Sequence, residues 1–372
     1  MSKNNIAPNR IWVCIVLMFV AVISVTAQGN ITLPVYELHS VEVTRRERIS
    51  EVMPAINVVS ISTNKKSMTL GGLSNIVREK AFGVQIGGLY NHIGGMGRGV
   101  AIAGLCNTIL GSYYGLQVGG LSNYNADGSK GLVIGGLSNI VGDGFDGIQL
   151  AGLANIAKET KGVQIAGLGN TSQDAYGLQL SGVTNIAKDV YGLQFTGLVN
   201  VAKRVKGVQF ASILNVAEES NCPIGLINIV KNGSMGVALT YDMMGNALMS
   251  YRSGGRCTYG IVGVGFNQCV ADKLVLEAGY GAHVSVCKWL QVNNEVKATA
   301  PINASIVNFG YLIAPSVTLW NHCNLFGGAS INYLMANNTS IFIPKYELWQ
   351  NQSADGVLRL YIGYQIGVQY VF

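Results

Sequence analysis

Charge is scarce in this chain. Only 12% of its 372 residues are Asp, Glu, Lys or Arg, and its mean hydropathy is +0.32; about a quarter of residues are charged in an ordinary soluble domain. Proline is rarer still, with 7 residues against 48 glycines, which excludes collagen and proline-rich disorder. After the first 27 residues no unbroken apolar run is long enough for a transmembrane helix. The familiar chemical motifs are also missing. There is no C-x-x-C pair and no cysteine–histidine cluster at zinc spacing. The histidines, His39, His92, His283 and His322, lie far apart. No Walker loop, no H-E-x-x-H and no G-x-S-x-G occurs, and no G-x-G-x-x-G opens a helix. We therefore expect a non-enzymatic protein, with no catalytic, cofactor-binding or metal-ligating residue and no cofactor.

The basic excess is small. The only dense clusters are Arg45-Arg46 with Arg48, and Lys203-Arg204 with Lys206. A nucleic-acid stripe needs more, so both read as solvated turns, and no nucleic-acid partner is expected.

The amino-terminal residues have the form of a secretory signal peptide. Lys3 and Arg10 supply the positive start, Ile11 to Val25 the apolar run, and Val25-Thr26-Ala27 the small residues before cleavage. We expect residues 1–27 to be removed; the alternative is a membrane anchor. Cys14 lacks the small residues of a lipobox, so lipid anchoring is not expected. Removal of Lys3 and Arg10 lowers the formal charge from +6 to +4, because no acid leaves with them. Six cysteines remain, which we expect to be mostly small buried apolar residues. Residues 28–66 read as a linker or cap, with INVVSIST as a candidate capping strand.

What is abundant is repetition. The unit is G-h-Q-h-x-G-h-x-N, with h apolar: GVQIGGLYN ends at Asn91, GLQVGGLSN at Asn123, GIQLAGLAN at Asn155 and GLQFTGLVN at Asn200. Asn75, Asn91, Asn107, Asn123, Asn139 and Asn155 are 16 apart; Asn170, Asn185, Asn200 and Asn215 follow at intervals of 15. Two or three glycines per unit weaken a helix, and no 3.6-residue period is present. Val84 and Ile86 share one strand face, and Gln85 takes the other. The expectation is a parallel β-solenoid over 67–230. Its core would be the apolar positions, such as Val84, Ile86, Leu89 and Leu168, and its asparagines would form a ladder. Ten rungs at about 4.8 Å give a rod of roughly 45–50 Å. The rows of asparagine and glutamine also admit ligand binding, although a structural ladder explains them without one. Ala101 and Val133 stand at the glutamine position, so that glutamine is not obligatory.

These units resemble a bacterial surface-repeat family whose repeats read G-[LV]-Q-[IVL]-x-G-[LV]-x-N. The likeness runs from about Met68 to Ile229 and includes the exit G-L-I-N-I-V at Gly225 to Val230. The resemblance implies an envelope or surface protein of Gram-negative bacteria.

After Pro223 the period stops, aromatics become frequent and strict alternation begins. From Leu358 to Phe372 every second residue is apolar, with Arg359, Gly363, Gln365 and Gln369 among the intervening set. A two-faced strand of 15 residues far exceeds the usual globular length of about 5–6, and it reads as lipid outside and a polar lumen inside. The terminal Phe372 resembles the carboxy-terminal signal of outer-membrane barrels. Similar patterns give about eight strands near 235–242, 245–252, 256–266, 273–286, 288–299, 304–319, 323–335 and 357–372. The expected fold over 231–372 is thus an antiparallel outer-membrane-type β-barrel of roughly eight strands. Glu277, His283, Glu295, Lys297 and Arg359 fall on its polar face, as an interior ion-pair network rather than a catalytic cluster. Lumen positions such as Gln365 are expected to accept a charge more readily than Ile366 does.

The chain as a whole reads as all-β: an outer-membrane barrel carrying a periplasmic or surface-exposed solenoid, with a structural or binding role. Its partners would be outer-membrane lipid, the outer-membrane assembly machinery, and an envelope or extracellular ligand that the sequence does not identify. Two rival readings are a single large porin-like barrel that includes the repeats, and a secreted adhesin. An envelope hydrolase lacks any nucleophile–base constellation.

Overall fold

The computed structural model describes residues 55–268, 274–302, 306–320, 322–337, 344, 346–353 and 356–372. The expected signal peptide and the linker up to residue 54 lie outside the described residues. The architecture is all-β: a glycine-rich parallel solenoid of about eleven turns, then a closed eight-stranded antiparallel barrel. The chain divides into two compact units, Met1–Ala175 and Tyr176–Phe372.

In the first unit the asparagine sets the geometry of each turn. Asn91 Nδ2 donates to Asn107 Oδ1 of the next turn (2.8 Å) and to the carbonyl of Ile102 on the facing wall (2.7 Å). The same pair of bonds recurs at Asn107, Asn123, Asn139 and Asn155. Each carboxamide thus braces two walls and two rungs from inside. The residue before the corner must then be small: a Cβ on Gly87 would lie 2.6 Å from Asn91 Oδ1.

With the asparagine inside, strand alternation fixes every other position. The glutamine row turns inward and the h residues turn outward. Gln85 is 2% exposed, whereas Leu89 is 45% exposed. This corrects the expected core: Leu89 and Leu168 face outward, and Val84 and Ile86 are not buried. The interior apolar residues come instead from two other rows, Val77, Ile93, Ile109 and Val141, and Ala81, Tyr113 and Phe145. A closed turn of 15 or 16 residues encloses little volume, and its large side chains need vacant neighbours. A Cβ on Gly97 would sit 2.5 Å from the Tyr113 ring, so the ring occupies the space that glycine leaves.

The positive-φ glycines, from Gly83 (φ 99°) to Gly207 (φ 151°), mark the start of each h-Q-h strand. The charged residues lie in the turn just before them and pair between rungs, as in Lys130–Asp146 (2.8 Å) and Lys158–Asp143 (3.5 Å). The change from 16 to 15 residues is absorbed in this turn, where the register steps from Ala157↔Val141 to Glu159↔Gly144. At the amino-terminal side Ala55–Lys65 pairs in parallel with Thr69–Gly87, the capping strand expected of INVVSIST.

The second unit begins with further rungs. Asn185, Asn200, Asn215 and Asn228 continue in the same manner at 2.9–3.1 Å, and Asn228 adds a rung beyond the ten expected. Arg204 makes a two-pronged bond to Asp189 (2.7 and 2.6 Å), which holds the Asp189 carboxyl below the usual carboxylate range. The pair therefore contributes to folding at neutral pH, and that contribution is lost as pH falls through the lowered value.

The barrel follows. Its strands are Ser234–Asp242, Asn246–Gly254, Thr258–Asn267, Leu274–Cys287, Leu290–Pro301, Ile306–Trp320, Cys323–Ala336 and Gly356–Val371. Each pairs with its neighbour, and the last closes on the first with Gly236 opposite Val371. Closure leaves neither of these strands as a free edge. The alternating sets lie on the faces that the sequence indicates: Ile362, Tyr364, Ile366 and Val368 point out, while Arg359, Gly363 and Gln365 are buried. A further strand, Glu347–Ser353, was not expected; it pairs with Val357–Tyr361 outside the ring of eight. Cysteine burial was misjudged. Cys257 and Cys287 are exposed, Cys106, Cys222 and Cys323 half-buried, and none of these five is paired.

The glutamine row makes its own ladder where it is unbroken: Gln164 donates to Gln149 at 2.7 Å, and Gln209 to Gln194 at 2.9 Å. Ala101 interrupts it between Gln85 and Gln117, leaving both amide atoms of Gln85 and Oε1 of Gln117 without partners. A buried unsatisfied polar group costs about 1–3 kcal/mol. Ala101→Gln is therefore expected to stabilise the protein by about that amount, seen as a higher Tm. Ala101→Leu, of similar volume, should not. A fall in Tm for A101Q would contradict the ladder.

Candidate functional site

The barrel interior gathers the side chains with chemical capacity. Three of its strands send charged residues to the axis, one each from Asn246–Gly254 and Leu274–Cys287 and two from Leu290–Pro301: Arg252, Glu277, Glu295 and Lys297 are all at least nearly buried. Arg252 Nη1 lies 2.8 Å from Glu295 Oε1, which also accepts from the Tyr259 hydroxyl at 2.8 Å. Lys297 Nζ donates to Glu277 Oε1 at 2.8 Å and to Gln365 Oε1, and it stands 3.9 Å from Glu295 Oε2. Ser250 Oγ donates to Glu277 Oε2 at 2.6 Å. The Arg252 guanidinium also lies over the Phe326 ring, 4.4 Å from its centroid. Two acids and two bases neutralise one another across the lumen, and their bonds cross-link strands far apart in sequence.

Beside this network Ala238, Leu312, Ala314 and Phe326 fill the lumen. Met244, Ile306, Leu334, Ala336 and Tyr361 close the end opposite the Gly254–Thr258 turn. The cavity beside them, lined by Asn246, Asn267 and Thr299, measures only about 20 Å³. The interior is a packed plug rather than an open channel.

At the other end a cavity of about 320 Å³ opens at the rim, lined by Arg252, Arg256, Tyr259, His283, Asn293 and Gln369 among others. Buried Asn293 Oδ1 and Arg252 Nε have no hydrogen-bond partner there. His283 stacks on Tyr259 with ring centroids 5.7 Å apart. The lining is polar and contains no carboxylate, so it suits a small polar or anionic group.

This rim also receives the last turn of the solenoid. Asn228 N and Nδ2 donate to Ser253 Oγ and to its carbonyl, each at 2.9 Å, and Thr258 Oγ1 donates to the Pro223 carbonyl at 2.7 Å. A Cβ on Gly260 would lie 2.1 Å from the carbonyl oxygens of Gly225 and Leu226, so only glycine lets the rung seat there. On the outer wall, the Tyr280 hydroxyl donates to the Ser212 carbonyl at 3.1 Å.

Of the five polar-face residues singled out from sequence, Glu277, Glu295 and Lys297 meet in one network. His283 stands at the rim, and Arg359 pairs instead with Glu347 of the unexpected strand, at 3.4 Å. Arg252, Tyr259 and Ser250 were missed. Arg252 and Ser250 are the inward set of Asn246–Gly254, opposite the outward Met249, so the same alternation identifies them. Gln365 does not suit a charge as expected: it is buried against Lys297, and a second cation there would meet the first. Among the described residues no group of three or more His, Cys, Asp or Glu is placed to hold a metal.

The chain matches no family model and no curated protein. Among solved structures, a designed transmembrane β-barrel is similar over 37% of this chain and 93% of the designed one, at 12% identity and a TM-score of 0.24.

Removing one member of a buried pair strands the other. Arg252→Ala should cost about 3–5 kcal/mol, because Glu295 keeps its charge without its main partner. The double change Arg252→Met with Glu295→Leu should cost less than either single change. Thermal unfolding of the three variants measures this; a double variant worse than both singles would contradict the pairing.

Proposed function

We propose that the protein is a non-enzymatic outer-membrane β-barrel, closed to permeation, which anchors the repeat solenoid to the envelope. One observation carries this reading. Among the described residues the outward face of all eight barrel strands bears no charge, and its residues are large and apolar: Leu239, Met249, Val264, Leu276, Val296, Ile313, Ile331 and Ile366 are all exposed. Asn294, an outward amide, accepts from the Tyr311 hydroxyl at 3.1 Å. In water such a face is unfavourable; in a bilayer it is the required one. Exposed aromatics, Trp289, Trp320 and Tyr370, gather at the rim where Cys287–Leu290 and Trp320–Cys323 turn, as an interfacial girdle does.

The same rim carries short turns, whereas 267–274, 301–306 and 336–347 at the opposite end are longer. Short turns face the periplasm in outer-membrane barrels, which supports a periplasmic position for the solenoid. The filled lumen speaks for an anchor over the porin-like alternative, and the rim cavity is where a small envelope ligand would be held.

The mature protein is expected to fractionate with outer membranes and to resist carbonate extraction. Ile366→Lys separates the bilayer from water: it should cost about 2–4 kcal/mol of assembly in lipid, whereas the same exposed position would accept Lys readily in a soluble barrel. Carbonate-soluble protein, or normal assembly of I366K, would sink the membrane reading.

A further inference from the structure

The outside of the solenoid is as segregated as that of the barrel. In the first unit the described charged residues between Ser67 and Ala175 all fall in the turn that precedes each positive-φ glycine, at positions such as Glu79, Arg98, Lys130, Asp143 and Lys158. The two strand walls and the opposite corner carry none. That corner is a row of leucines from Leu73 to Leu168, one per turn, each 37–50% exposed. The wall beside it presents residues such as Ile148 outward. The second unit repeats the pattern. Its charges sit at Lys188, Asp189, Lys203, Arg204, Lys206, Glu218 and Glu219, while Leu198 and Ile213 form the corner, and Leu193, Phe195 and Phe210 line an apolar groove on the wall. No rearrangement of side chains can hide these rows, because the parity that turns them outward is set by the inward asparagines.

We infer that this apolar corner is a lipid-contact surface in both units, with its leucine row in the leaflet and its charged edge in water. The inference rests on the membrane reading of the barrel. It commits to lipid because, in the second unit, the two apolar surfaces join. Ser212, next to the corner residue Ile213, accepts from Tyr280 on the outward wall of the barrel strand Leu274–Cys287. Tyr280 pairs with Gly260, two residues from the rim residue Thr258. The corner row thus meets the outer wall of the barrel at Tyr280, near the rim end of Thr258–Asn267. An apolar face opposite a charged one, lying in the plane of the interface, is the arrangement of a monotopic amphipathic element. Here the outer face of a β-solenoid takes the place of the usual helix.

Nitroxide labels on the full mature chain test this in vesicles of phosphatidylcholine and phosphatidylglycerol, with native cysteines replaced. Labels go at Leu137 and Leu198 on the corner, at Lys158 and Lys188 on the charged edge, and at Ile366 on the barrel. Collision with oxygen reports lipid, and collision with a nickel chelate reports water. Both corner labels should favour oxygen severalfold, as Ile366 does, and both edge labels the nickel chelate. Corner labels that favour nickel while Ile366 favours oxygen would overturn the inference and leave the barrel reading standing. Corner labels shielded from both reagents would also overturn it, by showing a protein cover such as a second copy. Nickel access at Ile366 as well would remove both readings together.

Discussion

The inward asparagine carboxamide is the constraint on which the rest of the solenoid depends. It bonds the next rung and the facing wall at once, and a side chain that does both must lie inside the turn. Strand alternation then leaves no freedom: the glutamine row goes in and the leucine row goes out. In water this would be a poor bargain, since a polar interior forgoes most of the apolar burial that stabilises a fold. The hydrogen-bonded ladders offset part of that loss, because the asparagine row and the unbroken runs of glutamine bond from rung to rung. Lipid against the outer rows, as inferred above, would offset the remainder.

The barrel solves the same problem with different residues. Its outer face is apolar, so its lumen must take the polar groups, and eight strands leave room only for side chains. Arg252, Glu295, Lys297 and Glu277 fill that space as a neutral network. Such a network adds less to stability than its bond count suggests, because desolvation of four charges opposes it. What it supplies is a fixed register among strands that a one-residue slip would turn inside out. Solenoid and barrel meet at Asn228, which ends one asparagine ladder and bonds Ser253 at the barrel rim.

Much of this was legible in the sequence. The spacing of Asn75 to Asn215 gives the rungs, and the alternation from Leu358 to Phe372 gives a barrel strand with both faces correctly assigned. The faces of the solenoid were assigned the wrong way round. Alternation alone shows that Val84 and Gln85 lie on opposite faces, not which face is inside. The usual presumption, apolar inside, assumes water outside. The asparagine held the answer, since a side chain expected to ladder between rungs cannot also point to solvent. Glu347–Ser353 escaped because ELWQNQS alternates poorly and pairs with only part of its neighbour. The meeting of Arg252 with Glu295 across 43 residues was hidden because it depends on the barrel's closure.

The most direct test of the central claim asks which rows lie inside. Nuclear magnetic resonance on protein in lipid, with asparagine side-chain amides and leucine methyls labelled and the water replaced by D2O, reports both. The inward ladder predicts that carboxamide protons of the rung asparagines persist long after exposed amides have exchanged, and that leucine methyls of the corner row contact acyl chains. Rapid exchange of those carboxamides, with leucine methyls in contact with Ile93 and Ile109 instead, would contradict it.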